Sequence, residues 1–309
     1  MRILVTGASG FIGKSLCRRL QDTEILRVMR ASDNRSNCIV IDDIAADVDW
    51  SRYFIGVDVI IHLAALAHDS LLDASEDYIK KVNEFATLNM ANYAKRAGVK
   101  RFIFLSSIGV NGCKSDVPFK FSDVPAPHDF YSQTKLDAEA RLEEMLLGSG
   151  TDFVIIRPPL VYGPGVKANF HSMLRWVARA IPLPLGGIKN NKRSLVYVEN
   201  LVDLVRVCIE HPAAANQIFL VSDGEDVSTR DLLLRAAQSL GVKSRLLNVP
   251  PKLLGIAGRF LGKKGIEQRL CGSLQVDIEH TKQILDWAPP YSIEEGLLRT
   301  ADWYKQGSI

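Results

Sequence analysis

The 309-residue chain is 47% apolar and 24% charged, which excludes disorder and collagen-like repeats and supplies enough apolar side chain for one large or two smaller cores. Thirty-eight Lys and Arg against 35 Asp and Glu leave a formal +3, too small an excess for a nucleic-acid surface, so no nucleic-acid partner is expected. Five cysteines without a C-x-x-C pair suit a reducing cytoplasm, the expected location. The N-terminal apolar run breaks at Gly7, too early for a signal peptide, and no stretch reaches the roughly 18 apolar residues of a membrane span. The Asn34-Arg35-Ser36 sequon therefore carries no meaning without secretion.

Arg2 to Thr6 is a short apolar run, Phe11 to Leu20 has helical spacing, Ile25 to Met29 is apolar again, and Val57 to Leu63 is a third β-type run. Glu76 to Gly98 reads as a long helix, Arg101 to Ser106 as a strand, Tyr131 to Leu147 as a second long helix, and Asp152 to Ile156 as the strand after it. This alternation predicts an α/β fold, a Rossmann-type doubly wound parallel sheet covered by helices on both faces. Beyond Arg157-Pro158-Pro159, Pro and Gly collect and the alternation stops. A strand over Ser194 to Val198, a helix over Glu199 to Glu210 and a strand over Gln217 to Val221 are expected to return to the sheet. The organisation expected is a nucleotide-binding domain over 1–165, rejoined by about 195–222, with a smaller α+β C-terminal lobe from 166–194 and 223–309 for substrate.

Val5-Thr6-Gly7-Ala8-Ser9-Gly10-Phe11-Ile12-Gly13 follows the first strand and opens the first helix. Gly7 permits a tight turn, Gly10 lets backbone N–H groups, with Phe11 and Ile12, approach a pyrophosphate, and Gly13 allows close helix packing. The second strand ends in Met29-Arg30-Ala31 with no acid at the place that reads the adenosine ribose, so the cofactor is NAD or NADP, with Arg30 favouring NADP. Asp43 and Ile44, after the next short strand, are placed to meet the adenine edge. Tyr131 and Lys135 stand at i, i+4 at the start of a helix, on one face. A Lys ammonium beside a phenol lowers its pKa, so Tyr131 is expected to exchange a proton with a substrate hydroxyl while hydride moves to or from nicotinamide. Phe104-Leu105-Ser106-Ser107 lies shortly upstream.

Together these residues resemble the extended short-chain dehydrogenase/reductase family, and within it the UDP-galactose 4-epimerase branch of nucleotide-sugar enzymes. The motifs that carry the resemblance are the glycine turn, Ile61-His62-Leu63-Ala64-Ala65, Phe102 to Gly112, Tyr131 with Lys135, Arg157-Pro158, Val161-Tyr162-Gly163-Pro164-Gly165 and Arg193 to Leu201. The resemblance implies Ser107 as the catalytic hydroxyl, Tyr131 as acid/base and Lys135 as the holder of the nicotinamide ribose. It further implies Leu63, Ala64, Ala65, Asn83 and Pro158 at the cofactor. Arg193 resembles the family's diphosphate-binding Arg, and Asn169 is placed for the nucleotide end of the substrate. Ser107 is followed by Ile108-Gly109 rather than the Asp-Glu pair of the family's dehydratases, so dehydration is not expected.

The function expected is a 4-epimerase acting by transient oxidation at C4 of a UDP-hexose or UDP-N-acetylhexosamine, in the service of surface polysaccharide. The alternatives are an NADPH-dependent reductase of a UDP-4-keto-6-deoxy-hexosamine and a non-catalytic NADP-binding redox sensor. The resemblance implies a homodimer through the two long helices. His62 and His68 have no ligand-spaced neighbours, so no metal is expected. Met90 and Tyr93 read as core or dimer interface, and the basic amphipathic stretch Pro250 to Lys264 reads as a lobe helix rather than a membrane-surface segment.

Overall fold

The computed structural model describes residues 1–31, 37–67, 71, 73–254 and 270–307. The sequon 34–36, His68 and residues 255–264 of the basic stretch lie outside the described residues. Seven strands, β1 (Arg2–Thr6), β2 (Glu24–Met29), β3 (Cys38–Val40), β4 (Val59–His62), β5 (Arg101–Leu105), β6 (Asp152–Arg157) and β9 (Gln217–Leu220), form a sheet in the order β3-β2-β1-β4-β5-β6-β9. Every pairing in it is parallel.

Successive side chains leave opposite faces of a strand, and both faces here are dry. Ile3, Val5, Ile61, Ile103 and Ile156 enter one core, while Leu4, Ile60, Phe102, Phe104 and Ile155 enter the other. That is why the strands read as unbroken apolar runs instead of alternating ones. The first core is closed by α1 (Phe11–Arg19) and α6 (Val198–Glu210), tied together by Ser15 to Glu199 and by Arg19 to Asp203 at 3.2 Å. The second is closed by α3 (Ala86–Ala97) and α4 (Phe130–Leu146), through Met90, Ala94, Ala138 and Leu142. Met90 is fully buried and Tyr93 packs against this core. Arg101 donates to the carbonyls of Cys208, Ile209 and His211 at 2.8–3.1 Å, satisfying the C-terminal end of α6.

Two expectations change in detail. The long helix after β4 is α2 (Glu76–Lys80), a π-helical turn (Lys81–Phe85) and then α3, ended by Gly98 in the left-handed conformation. The strand expected at Ser194 to Val198 does not rejoin the large sheet. As β8 (Arg193–Tyr197) it lies between β7 (Leu160–Tyr162), parallel, and β10 (Asp226–Val227), antiparallel, in a second sheet of three. Of the two strands β9 alone returns, as the edge strand beside β6, while α6 packs on the large sheet as expected.

The second sheet is joined to α6 through one buried carboxylate. Asp223 accepts from Tyr162 Oη at 2.8 Å, from the Tyr197 amide at 2.7 Å and from Asn200 Nδ2 at 2.7 Å. Burial outweighs these three donors and pushes its pKa up to about 6. The lobe adds α5 (Ala168–Ala178), α7 (Thr229–Leu240) and the helices Glu279–Leu285 and Ile293–Gly307. Among the described residues no helix is long and apolar enough to cross a membrane.

Candidate active site at the switch point of the sheet

Strand order reverses between β1 and β4, so the loops that leave their carboxyl ends diverge and open a crevice, the general ligand position in such sheets. The glycine turn follows β1. Gly7 has φ +65°, and a Cβ on Gly13 would lie 2.2 Å from the Gly7 oxygen and 2.8 Å from Ala8 Cα. Backbone atoms cannot yield that much, so α1 sits against the turn only because residue 13 is glycine. The N-cap residue of α1, Gly10, supplies no side-chain cap, and the first turn carries no acid. Its amides and the positive end of the helix fit a diphosphate.

Leu63, Ala64 and Ala65 follow β4 and are half-buried. Their loop closes on the glycine turn: a Cβ on Gly7 would stand 2.9 Å from the Ala64 nitrogen. Thr6, at the end of β1, holds the loop by accepting from the Leu63 and Ala64 amides, both at 3.2 Å. Asn83 sits behind the loop and is fully buried. Its amide takes both backbone groups of Leu66, accepting at 2.8 Å and donating at 3.1 Å, and also donates to Thr134 Oγ1 at 3.4 Å. The structure therefore gives Asn83 a place supporting the loop, with its polar atoms already engaged.

Ser107 starts the 3-10 turn Ile108–Val110, where its Oγ accepts from the Gly109 amide at 3.1 Å. α4 begins at Asp129, whose side chain caps it by accepting from the Ser132 amide at 2.8 Å. Its first turn abuts that of Ser107: a Cβ on Gly109 would lie 2.4 Å from Ser132 Oγ and 3.3 Å from Ser107 Oγ. Tyr131 is half-buried in this first turn, and Lys135, 1% exposed, stands one turn further on. The Lys135 ammonium donates to the Leu105 carbonyl at 2.9 Å and lies 4.4 Å from the centre of the Phe104 ring.

The charge relation expected of the pair is not the one found. Burial pushes the Tyr131 phenol above its ordinary range, with Asp129 adding to the effect. Burial brings Lys135 down to about 7, opposed by Glu139. Lys135 is removed from water and the half-buried Tyr131 partly so, and desolvation works against either charge.

Glu139, one turn beyond Lys135, was not anticipated, although the same spacing points to it. At 1% exposure it takes three bonds from the Arg157 guanidinium, at 3.1, 3.1 and 2.5 Å. Arg157 also donates to Asn111 Oδ1 at 3.0 Å, and Asn111 Nδ2 donates to the Lys120 carbonyl at 2.9 Å. The carbonyl of Pro158 accepts from the Ile108 amide at 3.0 Å, fixing the Ser107 turn. The end of β6 thus anchors both the Ser107 turn and α4.

At the far end of the crevice Arg30 is exposed directly after β2. Asp43 accepts from Ala45 N at 2.9 Å and from Tyr78 Oη at 3.1 Å, Arg30 acts electrostatically on the same phenol, and Ile44 packs on the second core. On the lobe side, Asn169 is exposed in the first turn of α5, whose N-cap is Lys167. Arg193 opens β8, half-buried, and donates to the Gly272 carbonyl at 3.2 Å. Neighbouring Asn191 donates to Thr229 Oγ1 at 2.9 Å. Among the described residues no three His, Cys, Asp or Glu converge as a metal site.

Residues 3–222 match the family described as NAD dependent epimerase/dehydratase. The UDP-glucose 4-epimerase of Vibrio cholerae is 44% identical over 99% of this chain and 96% of its own length. The fold is shared with UDP-N-acetylglucosamine 4-epimerase from Bacillus cereus, at TM-score 0.83 and 18% identity over 99% of each chain. It is also shared with Thermotoga maritima UDP-glucose 4-epimerase bearing UDP-glucose, at TM-score 0.80 and 24% identity over 100% of each chain.

Proposed function

The chain belongs to the NAD dependent epimerase/dehydratase family, and from that premise we propose that it is a nucleotide-sugar 4-epimerase acting on a UDP-hexose or UDP-N-acetylhexosamine. The observation that carries the reading is the packing of the Tyr131 turn of α4 against the Ser107 turn, beside a glycine turn at the switch point of the sheet. The names of the relatives support the same substrate class.

A nicotinamide dinucleotide supplies the hydride acceptor and donor when bound. Gly7, Gly10, Phe11, Ile12 and Gly13 would hold its diphosphate, Arg30, Asp43 and Ile44 its adenosine, and Leu63, Ala64, Ala65 and Lys135 the middle and nicotinamide ribose. Ser107 Oγ would orient the sugar 4-hydroxyl and Tyr131 Oη would take its proton as hydride leaves C4 for the bound nicotinamide; after the 4-keto sugar turns, hydride would return to the opposite face of C4 and Tyr131 Oη would give the proton back to the C4 oxygen. Arg193 binds the substrate diphosphate and Asn169 its nucleotide end. In Tyr131→Phe, turnover is abolished and dinucleotide binding is kept; turnover at the parental rate refutes the assignment.

Arg30 favours a second reading, a 4-keto reductase drawing on NADPH, because an exposed guanidinium at the end of β2 suits a 2′-phosphate. The deciding experiment denatures fresh protein, identifies the released nucleotide, and supplies the untreated protein with UDP-glucose and UDP-N-acetylglucosamine and nothing else. Released NAD with 4-epimer interconversion establishes the epimerase. No released nucleotide, NADPH binding and no interconversion establish the reductase. The assembly we infer is a homodimer through the α2–α3 and α4 faces, supported by Phe85, 45% exposed there between Lys80 and Arg141.

A further inference from the structure

His62 ends β4, is 1% exposed, and takes no part in the chemistry just described. Its ring lies between two hydroxyls, Nδ1 at 2.8 Å from Thr6 Oγ1 and Nε2 at 3.0 Å from Thr87 Oγ1. The surrounding donors decide which nitrogen carries the proton. Thr6 Oγ1 already accepts from the Leu63 and Ala64 amides, which uses both its lone pairs. It has only its own proton to offer the ring, so Nδ1 must accept. Nε2 then bears the hydrogen and donates to Thr87 Oγ1, whose proton goes to the Asn83 carbonyl at 2.9 Å. Every donor and acceptor is satisfied in one direction, from the loop after β4 to the π-helical turn.

A second proton on the ring would set three donors against Thr6. Burial, with Lys135 adding its charge, holds His62 down to about 3, so the ring stays neutral. Phe104 stacks on its face at 5.9 Å and fixes the ring plane.

We propose that His62 is a positioning residue for the dinucleotide: as the Nε2–H tautomer it fixes the Thr6 hydroxyl, and through it the approach of the Leu63–Ala65 loop to the glycine turn. This rests on the reading of that turn as a dinucleotide site. A merely structural histidine would value its two hydrogen bonds alike, whereas a positioning one values the Thr6 side more, because only that side holds the loop.

Two substitutions separate the sides. His62→Asn puts an amide oxygen near Nδ1, keeping an acceptor for Thr6 and losing the donor to Thr87. His62→Gln reaches the place of Nε2, keeping that donor and leaving Thr6 without an acceptor. Dissociation constants for NAD and NADP are measured by calorimetry on nucleotide-stripped protein, alongside thermal melts and ring nitrogen NMR of the parental protein. His62→Gln is expected to lose about tenfold or more in dinucleotide affinity and His62→Asn less than about threefold, with similar losses in Tm. Equal losses of affinity in both, or none in His62→Gln, overturn the proposal. So does an Nδ1–H ring, or one that titrates between pH 5 and 8, a readout that stands even where a variant does not fold. Parental protein that binds neither dinucleotide overturns the underlying reading, and the proposal falls with it.

Discussion

Replacing Glu139 by Gln keeps the shape of the side chain and one acceptor while removing the charge that faces Arg157. Arg157 is 3% exposed and directs three hydrogen bonds at that carboxylate, with a fourth going to Asn111. Removing one member of a buried ion pair costs about 3–5 kcal/mol, because the other charge stays in a medium that solvates it poorly. For 309 residues at about 2.1 cal/mol/K each, the unfolding entropy is about 0.65 kcal/mol/K, so the Tm falls by about 5–8 °C. Glu139→Leu combined with Arg157→Met removes both charges and is expected to return to within about 2 kcal/mol of the parent. Urea and thermal melts of the parent, the two single variants and the double variant give the coupling. A double variant as unstable as the sum of the two singles refutes the pair as an energetic unit. Glu139 also supports the proton on Lys135, so in Glu139→Gln the alkaline limb of the kcat profile moves to lower pH.

Asp223 makes stability fall as pH rises. Its carboxyl titrates at about 6 in the fold against an ordinary 3.8, so the folded state binds the proton more tightly and loses about 3 kcal/mol across that window. Urea unfolding from pH 4 to 7 shows this slope in the parent and not in Asp223→Asn; parallel curves disprove it. Gly13→Ala drives a Cβ into the Gly7 carbonyl and is expected to weaken dinucleotide binding at least tenfold by calorimetry, at about 1–3 kcal/mol of stability, while Gly307→Ala, which meets nothing within 4 Å, changes neither. On the role proposed for Arg193 at the substrate diphosphate, Arg193→Leu is expected to raise KM about 10- to 150-fold with kcat nearly kept; a fall in kcat at constant KM places Arg193 elsewhere.

The parallel sheet was legible because a strand buried on both faces writes itself as a continuous apolar run, as Val59–His62 does. Tyr131 and Lys135 were legible for the opposite reason, being polar residues at a helical interval in a helix that hides that face. Glu139 lay within reach of the same spacing. Thr6 and His62 did not, since the bond between them joins positions 56 apart and neither residue type announces a partner. Asn111 was equally opaque, its Arg157 contact spanning 46 residues. Strand β8 was legible as a strand but not in its sheet, because β7 and β10 compete for its edges and nothing within Arg193–Tyr197 records the outcome. The π-helical turn has no signature in a helix whose polar and apolar residues keep nearly the same order with one residue added to a turn.

Four charged or chargeable groups form a row that ends at Tyr131. Arg157 on β6 faces Glu139, Glu139 follows Lys135 by one turn of α4, and Lys135 follows Tyr131 by one turn. Burial presses the Tyr131 end of this row toward neutrality: the phenol is pushed up and the ammonium down to about 7. A phenolate at Tyr131 Oη needs positive charge beside it to offset the desolvation that disfavours it. On its own helix face Lys135 is the group that can carry that charge, and Glu139 helps it do so. Glu139 in turn, at 1% exposure, is held by three hydrogen bonds from Arg157. A change at Arg157 therefore reaches the proton on Tyr131 through two intervening charges, with a sign fixed at each link. Loss of the guanidinium removes the three donors that hold the Glu139 side chain in place, weakening its support of the Lys135 ammonium, which disfavours the phenolate.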